Sequence, residues 1–239
     1  MSNAAIVTGA SSGIGLEIGR MLCRLGYEVF GIGRQFPQAS HLPEAFQKQT
    51  FHPIVCDILD TQKLLDTVKD VASKNKITVL VNNAGTAYYG PHEELNPGKI
   101  QQMVRTNLEI PMILTQQLLR DLKKNQGYVI NISSVTAHAA NPHGCAYGAT
   151  KAGLASFSES LFAETRKYGV KTVAIYPDMT ATNLYRNADF TVGDEAESYL
   201  SPKEVADAIE YILKQRDGLV VSELTLRPQL HRIKRRKKS

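Results

Sequence analysis

Tyr147 and Lys151 lie four residues apart in the run Cys145-Ala146-Tyr147-Gly148-Ala149-Thr150-Lys151. On a helix that spacing puts both side chains on one face. A phenol beside a fixed ammonium is a usable acid or base, because the positive charge favours the phenolate and moves its pKa toward neutrality. Tyr-x-x-x-Lys alone recurs by chance on solvated helices. Ser134 changes its weight. It lies thirteen residues before Tyr147, just past the apolar run 128–132. Two hydroxyl donors near a carbonyl oxygen stabilise the charge that grows there during reduction, and one of them delivers a proton.

Such chemistry needs an electron source, and the start of the chain suggests one. Thr8-Gly9-Ala10-Ser11-Ser12-Gly13-Ile14-Gly15 joins an apolar strand-like run to a segment of helical periodicity. Glycines there permit a tight turn and close backbone approach, and a helix N-terminus offers N–H groups and a positive dipole to a pyrophosphate. The next strand-like run ends Gly31-Ile32-Gly33-Arg34, with no acid to bind ribose hydroxyls. A guanidinium suits a 2′-phosphate, with the Ser11 and Ser12 hydroxyls as further donors. This favours NADP(H) over NAD(H).

The elements that must position these groups alternate along the chain. Strands are expected at 4–8, 27–32, 51–56, 77–81, 128–132, 171–175 and 219–221. Helices are expected at 13–25, from the cap Asp60 to about Ser73, at 97–124 with Pro111 interrupting its ladder, and near 147–167 and 202–215. This pattern predicts an α/β fold, a Rossmann-like doubly wound parallel sheet of about seven strands with helices on both faces. Residues 1–230 read as one dinucleotide-binding catalytic domain. Residues 183–200, polar and irregular, follow a strand end, where open α/β sheets place ligand sites.

Composition excludes little beyond disorder and membrane classes, with 43% apolar and 21% charged residues. No apolar run approaches the ~18 residues of a membrane span, and the early first strand leaves no room for a signal peptide. Cys23, Cys56 and Cys145 are too scattered for a disulfide framework, and no Cys/His/Asp spacing marks a metal site. A cytoplasmic location is the expectation. The formal charge of +5 belongs to the end of the chain. Residues 232–239 hold six Lys and Arg, and setting these aside leaves 22 basic against 23 acidic residues.

Taken together, Thr8-Gly9-x-x-x-Gly13-x-Gly15, Asp57, Asn82-Asn83-Ala84-Gly85, Asn107, Ser134, Tyr147-x-x-x-Lys151 and Pro177 resemble the short-chain dehydrogenase/reductase family, in its single-domain branch of about 250 residues. The resemblance covers nearly the whole chain. It implies that Asp57 and Ile58 meet the adenine, and that Asn83, Ala84 and Gly85 line the adenine-ribose side. Asn107 is implied where a long helix loosens and holds a water. Ser134 is implied to bind the substrate oxygen, and Tyr147 to exchange the proton. Lys151 is implied to hold the nicotinamide ribose and depress the tyrosine pKa. Pro177, Thr180 and Thr182 are implied at the nicotinamide carboxamide. The family's long helices commonly form dimers or tetramers, so a homodimer or homotetramer is implied.

The chain departs from the family's Pro-Gly after the sixth strand, reading Pro177-Asp178. Aspartate tolerates left-handed angles better than most residues, so the turn is expected to survive with a carboxylate added. The short 183–200 segment predicts a modest lid. His138, His143 and Cys145 are expected as loop residues bordering the substrate. Tyr88 and Tyr89 stand open between pocket wall and edge packing. Lys99, Arg105 and residues 112–124 are candidates for a subunit contact. The tail 231–239 reads as a solvated, disordered basic end. Without interleaved aromatics it offers no specific nucleic-acid reading. The expected activity is NADP(H)-dependent interconversion of a ketone and a secondary alcohol, in the manner of a carbonyl reductase. The alternatives are a 3-oxoacyl thioester reductase whose tail meets an acidic carrier protein, and a non-catalytic dinucleotide sensor.

Overall fold

The computed structural model describes residues 3–36 and 50–236. Its elements run β1 (Asn3–Thr8), α1 (Gly13–Arg24), β2 (Glu28–Gly33), β3 (Phe51–Val55), α2 (Thr61–Lys74), β4 (Lys76–Asn82), α3 (Pro97–Val104), a π turn (Arg105–Glu109), α4 (Ile110–Asn125), β5 (Tyr128–Ile132), α5 (Cys145–Thr165), β6 (Lys171–Pro177), β7 (Phe190–Val192), α6 (Pro202–Leu213), β8 (Glu223–Leu226) and β9 (Ile233–Arg235). Seven strands form one sheet in the order β3-β2-β1-β4-β5-β6-β8, every neighbouring pair parallel. This is the expected Rossmann-like fold.

Two apolar layers follow from the alternation of side chains along the strands. Ala5 and Val7 of β1, with Val79, Val81, Ile130 and Val173, face α1 and α6 through Ile18, Met21, Leu22, Val205 and Ile209. Ala4 and Ile6, with Leu80 and Val129, face α2 and α4 through Leu64, Val68, Leu114, Leu118 and Leu122. Both faces of the sheet are covered, so its strands read as continuous apolar runs. Asp60 caps α2 by accepting from the Lys63 N–H at 3.2 Å, as expected. Ser201 and Glu204 form a capping box that starts α6.

The structure corrects one expectation and sharpens two. The last strand of the sheet is Glu223–Leu226 rather than 219–221. Three apolar residues after a turn cannot set register alone, whereas 223–226 lies opposite Ala174 to Pro177 and pairs with them. The helix expected at 97–124 loosens, as expected around Asn107, in the π turn Arg105–Glu109, two residues before Pro111, which divides it into α3 and α4. The described part of the basic end, residues 231–236, is exposed as expected but is not without structure. Ile233–Arg235 pairs antiparallel with β7, Arg232 meets Glu195 at 2.6 Å, and Lys234 meets Asp194 at 2.7 Å. Lys237, Lys238 and Ser239 lie outside the described residues. Among the described residues no helix is long and apolar enough to cross a membrane.

Candidate active site

The strand order turns outward in opposite directions from the β1/β4 pair. A crevice opens there, at the carboxyl ends of the strands. It is lined by the turn after β1, the ends of β2 and β3, the loop after β4, and the segments after β5 and β6. Arg34 follows β2 and Ser134 follows β5, three strand spacings apart. At the usual interstrand distance that is about 14 Å, an extended groove rather than a compact pit.

The β1–α1 turn is tied to β4. Thr8 Oγ1 accepts from the N–H groups of Asn83 and Ala84 at 3.0 and 3.1 Å. Asn83 Nδ2 donates to the carbonyls of Thr8 and Gly9 at 2.9 and 3.3 Å. Gly9 and Gly13 hold φ of +67° and +56°, the left-handed region that a β-carbon penalises. Gly15 is helical, but a β-carbon on it would stand 2.3 Å from the Gly9 carbonyl oxygen. Ser12 precedes α1 without capping it by its side chain. The first-turn N–H groups and the positive helix end, beside Ile14, therefore face the crevice unspent.

Arg34 stands exposed at the rim and makes no ion pair among the described residues. Ser11 lies beside it: a β-carbon on Gly33 would come within 3.1 Å of Ser11 Oγ. Asp57 holds its own loop through Oδ1, which accepts from the Leu59 N–H at 3.0 Å. Asp57, Ile58, Ala84 and Gly85 all line the groove.

At the other end, α5 brings Tyr147 and Lys151 onto one buried face, each 4% exposed. Lys151 Nζ lies 5.7 Å from the Tyr147 ring centre and donates to the Ile132 carbonyl at 2.7 Å. Ser133 Oγ donates to the Lys151 carbonyl at 3.0 Å, fixing α5 to the end of β5. Ser134 lines the groove with Tyr147 and Lys151, and its oxygen accepts from the Thr136 N–H at 3.2 Å. Asn107 sits in the π turn, where the helix loosens as expected. Its Oδ1 accepts from the Thr86 N–H at 2.9 Å, and its Nδ2 donates to the Thr86 carbonyl and to Thr150 Oγ1 at 2.9 and 3.1 Å. Asn107 thus bridges the loop after β4 to the same helix that carries Tyr147.

The electrostatics differ from expectation in one respect. Burial holds the Tyr147 phenol well above its usual pKa. The nearby Tyr185 phenol adds to that rise, and the Ser134 hydroxyl opposes it. One ammonium hydrogen of Lys151 goes to the Ile132 carbonyl, and burial pushes the Lys151 pKa itself down to about 8. At neutral pH the site therefore holds a protonated phenol and a charged, desolvated ammonium.

After β6, Pro177, Asp178, Thr180 and Thr182 line the groove. Asp178 is not in the left-handed region, so its side chain costs no backbone strain. Its Oδ1 accepts from the Met179 N–H at 2.8 Å, and its Oδ2 lies 3.8 Å from Arg227. Thr180 Oγ1 donates to the Asp178 carbonyl, and Thr182 caps the turn that follows.

Several side chains at the site went unread in the sequence. Tyr185 and Leu184 line the groove from the segment after β6. Tyr89 packs 6.0 Å from Tyr147, 6.5 Å from Tyr185 and 4.9 Å from Phe190, which resolves it as part of an aromatic wall. Tyr88 instead donates to Gln102 and lies under Lys99. His138 packs against Tyr176 at 4.5 Å. The aromatic density of residues 185–190 was the one available signal. Among the described residues no group of three or more His, Cys, Asp or Glu is placed to hold a metal ion.

A family model described as short chain dehydrogenase matches residues 3–191. The chain belongs to the short-chain dehydrogenase family. As a member it is an oxidoreductase. Among its relatives in that family, serine 3-dehydrogenase of Agrobacterium fabrum is 32% identical over 247 residues, covering 95% of this chain and 94% of the relative. The NADPH-dependent 3-dehydrocapnine reductase of Ornithobacterium rhinotracheale is 33% identical over 221 residues, covering 87% and 78%. The alcohol dehydrogenase of the archaeon Thermococcus sibiricus, solved with 5-hydroxy-NADP, superposes with a TM-score of 0.85 at 26% identity, covering 97% of this chain and 98% of that one.

Proposed function

We propose that this short-chain dehydrogenase is an NADP(H)-dependent carbonyl reductase, interconverting a ketone and a secondary alcohol. One observation carries the reading: Tyr147 and Lys151 share a buried face of one helix and line one end of a groove together with Ser134. The other end of that groove has a helix N-terminus without a side-chain cap and an exposed Arg34 guanidinium with no ion pair among the described residues.

The residues fit the dinucleotide. The close-packed glycines leave backbone exposed to a pyrophosphate, and Arg34 with Ser11 suits a 2′-phosphate over a bare ribose. The NADP complex of the Thermococcus sibiricus enzyme and the NADPH dependence of the Ornithobacterium enzyme support the same choice. When bound, the reduced nicotinamide supplies the hydride. Ser134 and Tyr147 hold the carbonyl oxygen between them, and Tyr147 delivers the proton to it. Burial keeps the phenol in its protonated form at neutral pH, the form a reduction requires. The remaining ammonium hydrogens of Lys151 are available to ribose hydroxyls, and Asn107 holds α5 in register with the loop after β4. Asp57 and Ile58 bound the adenine end, and Thr180 and Thr182 the carboxamide end. Residues 1–230 act as one catalytic domain. Val104 and Met112, exposed apolar residues on α3 and α4, support a homo-oligomer through that side.

The test is Tyr147→Phe, assayed with ethyl acetoacetate, acetophenone and cyclohexanone by the loss of NADPH absorbance. NADPH binding should persist while turnover falls by about 10²–10⁴, the usual contribution of a positioned general acid. Turnover that survives in the variant would refute the mechanism.

A further inference from the structure

The basic end of the chain has no part in the reaction described above, yet it is built into the wall beside it. Residues 183–200 contain only short pieces: two 3₁₀ turns and the three-residue strand β7. A two-stranded ribbon of this length is marginal in isolation. The sheet partner of β7 is β9, with Phe190, Thr191 and Val192 opposite Arg235, Lys234 and Ile233. The pairing continues at both ends, where the Arg236 N–H donates to the Asp189 carbonyl at 2.7 Å and the Leu230 N–H to the Glu197 carbonyl at 2.8 Å. Arg232 Nη1 reaches both oxygens of Glu195 at 2.6 Å, and Lys234 Nζ meets Asp194 at 2.7 Å. The Arg236 guanidinium donates to the Arg186 carbonyl at 3.2 Å. Gly193 marks the close approach: a β-carbon there would meet the Arg232 carbonyl oxygen at 3.1 Å.

The inner face of that ribbon leads to the chemistry. Phe190 packs on Tyr89 and Tyr185, and Tyr89 packs on Tyr147. Leu184, Met179 and Val192 complete the apolar cluster. We propose that the C-terminal strand is a clasp that holds this aromatic wall against Tyr147, so that Arg232 and Lys234 are positioning residues for substrate rather than for cofactor. The inference rests on reading Tyr147 as the proton donor to a carbonyl. It also assigns the acidic partners of these two basic residues within the chain itself, which takes two charges away from any acidic carrier protein.

Each ion pair is exposed and contributes little alone. Reversing both turns two attractions into two repulsions beside a three-residue ribbon. The full chain carrying Arg232→Glu and Lys234→Asp should exchange amide hydrogens faster at residues 183–200, with no change in the β1–α1 turn. KM for the best ketone of the panel should rise about tenfold, while the NADPH Kd stays within about twofold. Adding Glu195→Arg and Asp194→Lys re-forms the pairs with opposite polarity and should restore both readouts. Unchanged exchange at 183–200 would overturn the clasp. Faster exchange with unchanged KM would overturn the positioning role, and failure of the four-fold swap to restore KM would show that these pairs are not the cause. A shift in NADPH Kd matching that in KM would place the effect on the cofactor and overturn the proposal as well. If no ketone turns over in a Tyr147-dependent way, the carbonyl-reductase reading fails, and the exchange data still decide whether β9 clasps the wall.

Discussion

Lys151 offers the sharpest physical test of the site, because its ammonium is buried with the Ile132 carbonyl as its one hydrogen-bond acceptor among the described residues. Burial moves its pKa from 10.5 to about 8, which corresponds to about 3 kcal/mol of differential interaction between its two protonation states. The side chain is 4% exposed, so solvent screening reduces this little. Below pH 8 folded and unfolded chains both carry the proton, and the folded state bears the full cost of desolvating it. Between pH 8 and 10.5 the unfolded chain binds more protons than the folded one, so this group makes stability rise with pH. Integrated from pH 7 to 9.5, the rise is about 2 kcal/mol. The buried phenols act in the opposite sense above pH 10, since Tyr147, Tyr89 and Tyr185 are all held above their usual pKa. Comparison with Lys151→Met isolates the lysine. Urea unfolding of both proteins at pH 7 and 9.5 should show the stability difference shifting in favour of the unmodified chain by about 2 kcal/mol. Loss of the Ile132 hydrogen bond changes the difference at every pH and leaves its slope untouched. A difference that stays constant within about 0.5 kcal/mol would refute the claim that this ammonium is desolvated.

Other perturbations test other parts of the groove. Arg34→Ala should weaken NADPH binding about 10- to 100-fold, from the loss of charge-assisted hydrogen bonds, while NADH binding measured by fluorescence titration is unchanged. Tighter binding of NADH than of NADPH by the unmodified chain would sink the assignment. Gly15→Ala should cripple cofactor binding, because its β-carbon meets the Gly9 carbonyl oxygen at 2.3 Å and the Asn83 amide at 2.4 Å. Calorimetric titration with NADPH checks it. Leu118→Ala, fully buried between α4 and the sheet, should cost about 2–5 kcal/mol in urea unfolding, with activity per folded molecule retained.

Much of the fold was legible because its signals are local and repeated. Apolar runs bounded by glycine and proline mark buried parallel strands, and Asp60 announces its helix by side-chain chemistry. The motif positions were legible for the same reason. Gly9 and Gly13 need left-handed backbone, and Tyr147 and Lys151 need only one helix to meet. The strand at Glu223–Leu226 was missed because its pairing partner, β6, lies some fifty residues away. A three-residue apolar run nearby looked equally strand-like.

The sequence by itself determined the α/β class, the glycine turn after β1, the place of Arg34 after β2 and the shared helix face of Tyr147 and Lys151. Each of these rests on residue type at short spacing, where backbone geometry leaves little choice, whereas Asn107 was placed beside them only by the family resemblance. Only the tertiary structure decided the sign of the Tyr147 shift, since burial depends on what packs around a helix face and not on the face itself. It alone brought Tyr89, Tyr185 and Phe190 together as a wall. It alone turned the basic end into a paired strand, because Glu195 and Asp194 meet Arg232 and Lys234 only once the chain has folded back on itself.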